Sequence, residues 1–168
     1  MARRADGPAS CAGSTPAIVA LQRVGIAFTA HAYQHDPTVT AFGAEAAVAL
    51  AVEPARVFKT LLADAGGRLL VGIVPVTGQL DLKALASAAG VKRATMAEAA
   101  VAERKTGYVV GGISPIGQKT RSQTVLDETA QLFTTIFVSG GRRGLDLELS
   151  PADLLAVTGG ILAPIAAV

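Results

Sequence analysis

A lysine set in an aliphatic run has the clearest potential for chemistry in this chain. In Val57-Phe58-Lys59-Thr60-Leu61-Leu62, Lys59 shares a strand face with Val57 and Leu61, so its ammonium leaves the backbone in the direction of two aliphatic side chains. Two readings of that face stay open. Either it points to solvent, with the lysine stem running past the aliphatic groups to water, or the lysine stands at a pocket wall and holds a carbonyl oxygen or phosphate of a ligand, because burial without an anion is costly. Three glycine-bearing stretches could complete such a pocket: Thr77-Gly78-Gln79, Gly111-Gly112-Ile113-Ser114-Pro115-Ile116-Gly117-Gln118-Lys119 and Ser139-Gly140-Gly141-Arg142-Arg143-Gly144. Successive backbone N–H groups with no side chain in the way bind an anion or a developing oxyanion. Each stretch on its own is equally an ordinary turn.

The usual hydrolytic machinery is missing. Ser114 lies in Gly112-Ile113-Ser114-Pro115-Ile116-Gly117, which misses the G-x-S-x-G spacing by one residue and places proline directly after the serine. The two histidines, His31 and His35, are four residues apart, a ligand pair only on a helix, and here they flank an expected strand end. A Ser/His/Asp relay would need one of them carried across the fold. Cys11, the single cysteine, sits in a Pro/Ser/Gly-rich leader and reads as an inert thiol. No metal and no cofactor is expected. Neither G-x-G-x-x-G nor a P-loop sequence occurs, which argues against a nucleotide held in the usual phosphate cradle.

The elements that must position these residues are legible from caps and periodicity. Thr15, Pro16 and the spacing Ile18, Leu21, Val24 predict a helix stopped by Gly25. Alternation of Ile26, Phe28 and Ala30 with Ala27, Thr29 and His31 predicts a strand, broken at Asp36-Pro37, and residues 43–52 predict a helix ending before Pro54. Arg56 to Ala63 and Leu69 to Val76 read as an antiparallel hairpin around Asp64-Ala65-Gly66-Gly67-Arg68. Asp81 opens a helix closed by Gly90, and Ala97 to Lys105 predicts another. Tyr108 to Ile113, Leu132 to Ser139 and Leu145 to Leu149 read as strands, the last two joined by a Gly140–Gly144 turn. Ser150-Pro151 caps a helix running to Gly159. Helices around mostly antiparallel strands make an α+β domain, without the regular βαβ alternation of a dinucleotide-binding fold.

Composition agrees with one compact domain. The 168 residues, 17.0 kDa, are 51% hydrophobic and 17% charged, enough apolar material for a sizeable core. Apolar runs are interrupted well before the ~20 residues a membrane-spanning helix needs. Residues 5–14 hold Asp6, Gly7, Pro8, Ser10 and Gly13, which is no hydrophobic signal core, so a cytoplasmic protein is expected. The net charge of +2 is uneven: residues 91–143 carry eight basic groups against four acidic ones, and residues 144–168 carry three acids and no base. Such a local excess is either a solvated face or a contact for a polyanion, whose phosphates it would neutralise.

Six segments in order carry a resemblance: Thr15-Pro16-Ala17, His31 to Pro37, Val57 to Leu62, Pro75 to Lys83, Thr106 to Lys119 and Val138 to Asp146. Together they closely resemble the YbaK family of free-standing aminoacyl-tRNA deacylases, related to the editing domain inserted in bacterial prolyl-tRNA synthetases. The likeness covers roughly residues 14–160, leaving 1–13 as a flexible leader before a deacylase domain at 14–168. It implies an α+β fold around a mixed, mostly antiparallel, barrel-like sheet. It also implies removal of cysteine from mischarged tRNA(Pro), with Cys-tRNA(Cys) as a second candidate substrate. The expected partners are the acceptor end of an aminoacyl-tRNA and prolyl-tRNA synthetase, with no membrane; the oligomeric state stays open. Lys59 matches the family's required lysine, and the substrate's own thiol is expected to attack the ester while the protein supplies hydrogen-bond donors. The resemblance places Tyr33, Phe58 and Thr60 around the substrate, with Gly111, Gly112, Ile113 and Ser114 near its carbonyl, and Ser139, Gly140 and Asp146 shaping the same pocket. Phe58 stands where tyrosine is frequent in the family, and Ser122 to Thr129 departs from the pattern in what reads as a surface connection. A deacylase for another mischarged tRNA such as Ala-tRNA(Pro), or a non-catalytic binder of aminoacyl-tRNA or synthetase, is the alternative.

Overall fold

A computed structural model describes residues 13–167, so most of the expected leader, with Cys11, lies outside the described residues. Helix α1 (Pro16–Val24) begins where the sequence demands. The Thr15 hydroxyl accepts from the Ile18 amide at 3.2 Å, and Gly25 closes the other end in the left-handed conformation. That hydroxyl also donates to the Gly140 carbonyl at 2.6 Å, 125 residues away, and so ties the helix to the strand carrying Ser139. Thr15→Ala is expected to remove a cap and strand a buried carbonyl, lowering stability by about 2 kcal/mol in urea denaturation.

After β1 (Thr29–Ala32), α2 (Phe42–Ala49) and a single 3₁₀ turn (Pro54–Arg56) come the paired strands β2 (Phe58–Ala65) and β3 (Arg68–Pro75). Their register runs from Phe58 opposite Pro75 to Ala65 opposite Arg68. Only Gly66 and Gly67 remain as the loop, with φ of 68° and 94°, which a tight two-residue hairpin requires. β4 (Gln79–Leu80), α3 (Leu82–Ala89), β5 (Thr95–Met96) and α4 (Ala99–Thr106) follow, then β6 (Gln123–Asp127) and a second 3₁₀ stretch (Glu128–Leu132). The chain continues through β7 (Ile136–Arg142), β8 (Leu145–Leu149), α5 (Pro151–Thr158), β9 (Ile161–Ala163) and β10 (Ala166–Ala167).

Two sheets carry the architecture. One is antiparallel, in the order β1-β8-β7; the other has five strands, β5-β2-β3-β6-β9, in which β3, β6 and β9 run parallel. β10 pairs with β4 separately. Apart from side-chain packing, the two larger sheets meet through one parallel bridge, Val57 with Phe137, so the barrel-like arrangement is open along the rest of that seam. The fold is α+β, as the elements imply. β3 is buried from Leu69 to Pro75 because both of its faces are covered. Leu69, Val71 and Ile73 join Phe58, Leu62, Leu126 and α1 in the main core, whereas Leu70 and Val74 pack with Leu85 of α3 and Val125 in a second one.

Three expectations fail. The turn expected at Gly140–Gly144 is only Arg143-Gly144, because β7 runs on to Arg142 and pairs there with Leu145. Ser122 to Thr129 is no surface connection: it forms β6, whose Thr124, Val125, Leu126 and Asp127 are all buried between β3 and β9. Buried Asp127 accepts from the Ile165 and Ala166 amides at 2.9 and 2.8 Å and so pins the C-terminal strand. Tyr108 to Ile113 is no strand either. Its polar groups are satisfied individually: the Tyr108 amide donates to the Thr106 hydroxyl, the Val110 amide to Glu103, and the Tyr108 hydroxyl to the Ile116 carbonyl at 2.7 Å. Such side-chain bonds close a loop and leave no backbone row for a neighbouring strand.

Candidate active site

The seam between the sheets opens into a cavity of about 500 Å³. β2 crosses it from Val57 to Leu62, α2 and the Thr40–Ala41 approach to it form one side, Met96 to Ala102 another, and Val110, Gly111 and Ile113 a third. Lys59 lines this cavity and is half-buried. The ion pairs among the described residues are His31–Glu148, His35–Glu45 and Arg56–Glu148, and none uses the Lys59 ammonium. Next to it, the Thr60 hydroxyl is buried without a hydrogen-bond partner. A cation and an orphaned hydroxyl on consecutive residues supply donors to whatever enters.

A further stretch of wall is built by β7, which the Val57–Phe137 bridge sets beside β2, and by β8. Along β8, Leu145, Leu147 and Leu149 point into the main core, so the alternating positions Asp146 and Glu148 point the other way. Asp146 reaches the cavity with Ser139, its register partner on β7. Only 6% of Asp146 is exposed, and that burial raises its carboxyl to about 7. Tyr33 lines the same wall; burial, reinforced by the Asp146 and Glu45 charges, pushes its phenol up to about 12, so it remains a hydroxyl donor. The site therefore holds one cation, one reluctant carboxylate and neutral hydroxyls in an apolar shell.

The glycine loops have divided roles. Gly111 and Ile113 line the cavity. Gly112 lies behind it: its amide donates to the Val109 carbonyl at 2.8 Å, and a Cβ there would meet the Arg142 backbone at 2.7 Å. Gly112 is thus a packing glycine whose N–H is engaged. Ser114 is fully buried off the cavity, its hydroxyl accepting from the Ile116 amide and its carbonyl from the Gln118 side chain. Gly140 is buried against Leu145, with its carbonyl committed to Thr15. Tyr33, Phe58, Lys59, Thr60, Ser139 and Asp146 thus line one cavity, while Gly112, Ser114 and Gly140 do not.

Sequence reasoning missed the contact between Phe42 and Arg143. Phe42 and Gly43 line the cavity, and Arg143 ties Phe42 to the glycine loop. Its guanidinium sits 4.9 Å from the Phe42 ring centroid and donates to the Val110 carbonyl at 2.7 Å. The doublet Arg142-Arg143 was visible in the sequence, but nothing local tied it to an aromatic 101 residues earlier. Among the described residues no group of three or more His, Cys, Asp or Glu side chains comes together, and no helix is long and apolar enough to cross a membrane.

Comparison with known proteins bears on the family and the fold. EbsC of Enterococcus faecalis, a proposed Cys-tRNA(Pro)/Cys-tRNA(Cys) deacylase, is 42% identical over 121 residues, 71% of this chain and 73% of its own. The crystal structure of hypothetical protein APE2540 superposes with a TM-score of 0.81 at 27% identity, covering 91% of this chain and all of that one. The crystal structure of a proposed trans-editing enzyme for prolyl tRNA synthetase gives 0.80 over 91% and 96% of the two chains; at 24% identity it speaks for the fold alone. Residues 35–157, which hold Lys59, the glycine loop and Asp146, match the aminoacyl-tRNA editing domain, and the chain belongs to that family.

Proposed function

We propose that this protein is a trans-acting deacylase that removes cysteine from mischarged tRNA(Pro) and accepts Cys-tRNA(Cys). One observation carries the reading: a single cavity is lined by an ammonium in no ion pair, Lys59, an unpartnered hydroxyl, Thr60, and a buried carboxyl, Asp146. An aminoacyl ester has matching parts. Its carbonyl oxygen gains negative charge when attacked, which Lys59 and the Thr60 hydroxyl stabilise, and its α-ammonium is the natural counterion for Asp146.

The nucleophile is the substrate's thiol, with a pKa near ~8.5 that a neighbouring cation lowers. The thiol loses its proton to water, sulfur bonds to the carbonyl carbon, and the ester C–O bond breaks. The ribose oxygen leaves and takes up a proton. A cyclic thioester results, and water opens it to cysteine. Selection then follows reactivity, which size cannot supply, because cysteine and proline differ too little for a shape-built pocket to separate them by more than ~1 to 3 kcal/mol. Prolyl-tRNA synthetase, which generates the mischarged species, is the partner this activity calls for.

Incubation with Cys-tRNA(Pro), Ala-tRNA(Pro) and an S-alkylated Cys-tRNA(Pro) tests the reading. Cys-tRNA(Pro) is expected to be deacylated and the S-alkylated ester to persist. Equal turnover of the S-alkylated ester would remove the thiol from the mechanism, and no turnover of any of the three would make the protein a binder.

A further inference from the structure

A second concavity lies at the tip of the β2–β3 hairpin, lined by Asp64, Ala65, Gly66, Val91, Lys92, Arg93 and Thr95. Its charge is mostly of one sign. Lys92 and Arg93 are exposed on its wall, Lys105 reaches over from the end of α4 to put its Nζ 3.2 Å from the Gly67 carbonyl, and Arg68 leaves the turn on the next residue. None of these four cations belongs to an ion pair of the described residues. The one acid in the lining, Asp64, spends an oxygen on the Gly67 amide at 2.7 Å.

Position gives this charge its meaning. β5 is two residues long and sits on the edge of β2, with Thr95 opposite Asp64 and Met96 opposite Ala63. Thr95 opens into the basic concavity, and its neighbour Met96 lines the active-site cavity. Lys59 and Asp64 are five positions apart on β2, about 17 Å of strand. That distance equals about five stacked nucleotides at ~3.4 Å each. Lys59 and Asp64 leave opposite faces of β2, and β5 at its edge is only two residues long. A strand whose acylated terminus sits at Lys59 and that passes round this edge therefore brings phosphates about five nucleotides further on to Lys92 and Arg93, with Arg68 and Lys105 beside them.

We propose that this concavity is the docking groove for the phosphate backbone of the RNA acceptor stem. The inference rests on the deacylase reading for the orientation of the strand, but the groove can be probed without turnover. Cations that meet phosphates position a nucleic-acid strand and carry no sequence information themselves.

The test uses the full chain, wild type and the Lys92→Ala/Arg93→Ala double variant, both substitutions being at exposed positions. Binding of an uncharged acceptor-stem minihelix is titrated at several salt concentrations, and deacylation is compared between Cys-tRNA(Pro) and cysteinyl-CCA, which has no stem. The double variant is expected to bind the minihelix at least tenfold more weakly, with a log–log salt slope shallower by about 1 to 2, since each lost phosphate contact removes ~0.9. Its loss of kcat/KM is expected to be at least tenfold greater for Cys-tRNA(Pro) than for cysteinyl-CCA. Minihelix affinity and salt slope equal to wild type would overturn the groove, as would equal losses on both substrates. A wild-type protein that deacylates neither substrate would refute the deacylase reading instead, leaving the minihelix result to decide the groove.

Discussion

Lys59→Ala is expected to lower kcat/KM for Cys-tRNA(Pro) by about 10²- to 10³-fold, the usual result of deleting one preorganised donor at a developing oxyanion. That corresponds to ~2.7 to 4 kcal/mol of transition-state stabilisation. The size follows from the surroundings. Lys59 lies in a cavity walled by Val57, Leu61, Phe58 and Val76, where little water competes for the ester oxygen. No acid among the described residues neutralises its charge. For the same reason the substitution should not unfold the protein, because it removes a half-buried cation and breaks no ion pair. Single-turnover deacylation read beside a urea midpoint checks both halves. Activity within threefold of wild type would exclude the ammonium from the chemistry. A midpoint that collapses with the activity would instead make Lys59 a support of the fold.

Asp146→Asn should reveal a pH-dependent cost built into the site. Burial raises this carboxyl to about 7, so between its unfolded value near 4 and pH 7 the folded protein holds a proton that the unfolded chain has released. Stability from this group is therefore present at low pH and is lost as pH rises toward 7, with no further change above. The neutral asparagine carries no such penalty. Relative to the variant, the wild type is expected to lose ~2 to 3 kcal/mol between pH 5 and pH 8, two units at ~1.36 kcal/mol each. Urea melts of both proteins at the two values measure the difference, and parallel behaviour would mean that Asp146 ionises freely. The family likeness does not explain why the fold tolerates this carboxylate, but the proposed α-ammonium does: a cation in the cavity returns the charge to its ionised form when substrate binds.

How much of this was legible depended on whether the signal was local. α1 and α5 were readable because Thr15-Pro16 and Ser150-Pro151 announce capped starts and Gly25 and Gly159 announce ends, all within one or two turns of chain. The β2–β3 hairpin was readable for the same reason. β6 was not, because Gln123 to Asp127 is short and flanked by polar residues, and its strand identity comes from parallel partners 53 residues before and 36 after it. The stretch from Tyr108 to Ile113 has strand-like composition, yet Glu103, Thr106 and Arg143 satisfy its backbone first. At the site, Lys59 stood out as a charge in an aliphatic run, and the glycine loop stood out as an anion cradle. Which glycine amides remain available could not be read locally, since Gly112 is consumed by a turn and by contact with Arg142. The arginine clamp over Phe42 is likewise purely tertiary.

The lone bridge between Val57 and Phe137 bears on how the enzyme could breathe. Two plates, each laced internally by its own amide ladder, share an apolar core and one backbone bridge, and that bridge lies two residues from the ammonium. Prising the plates apart by a fraction of an ångström would widen the slot for an incoming acyl group without breaking any ladder.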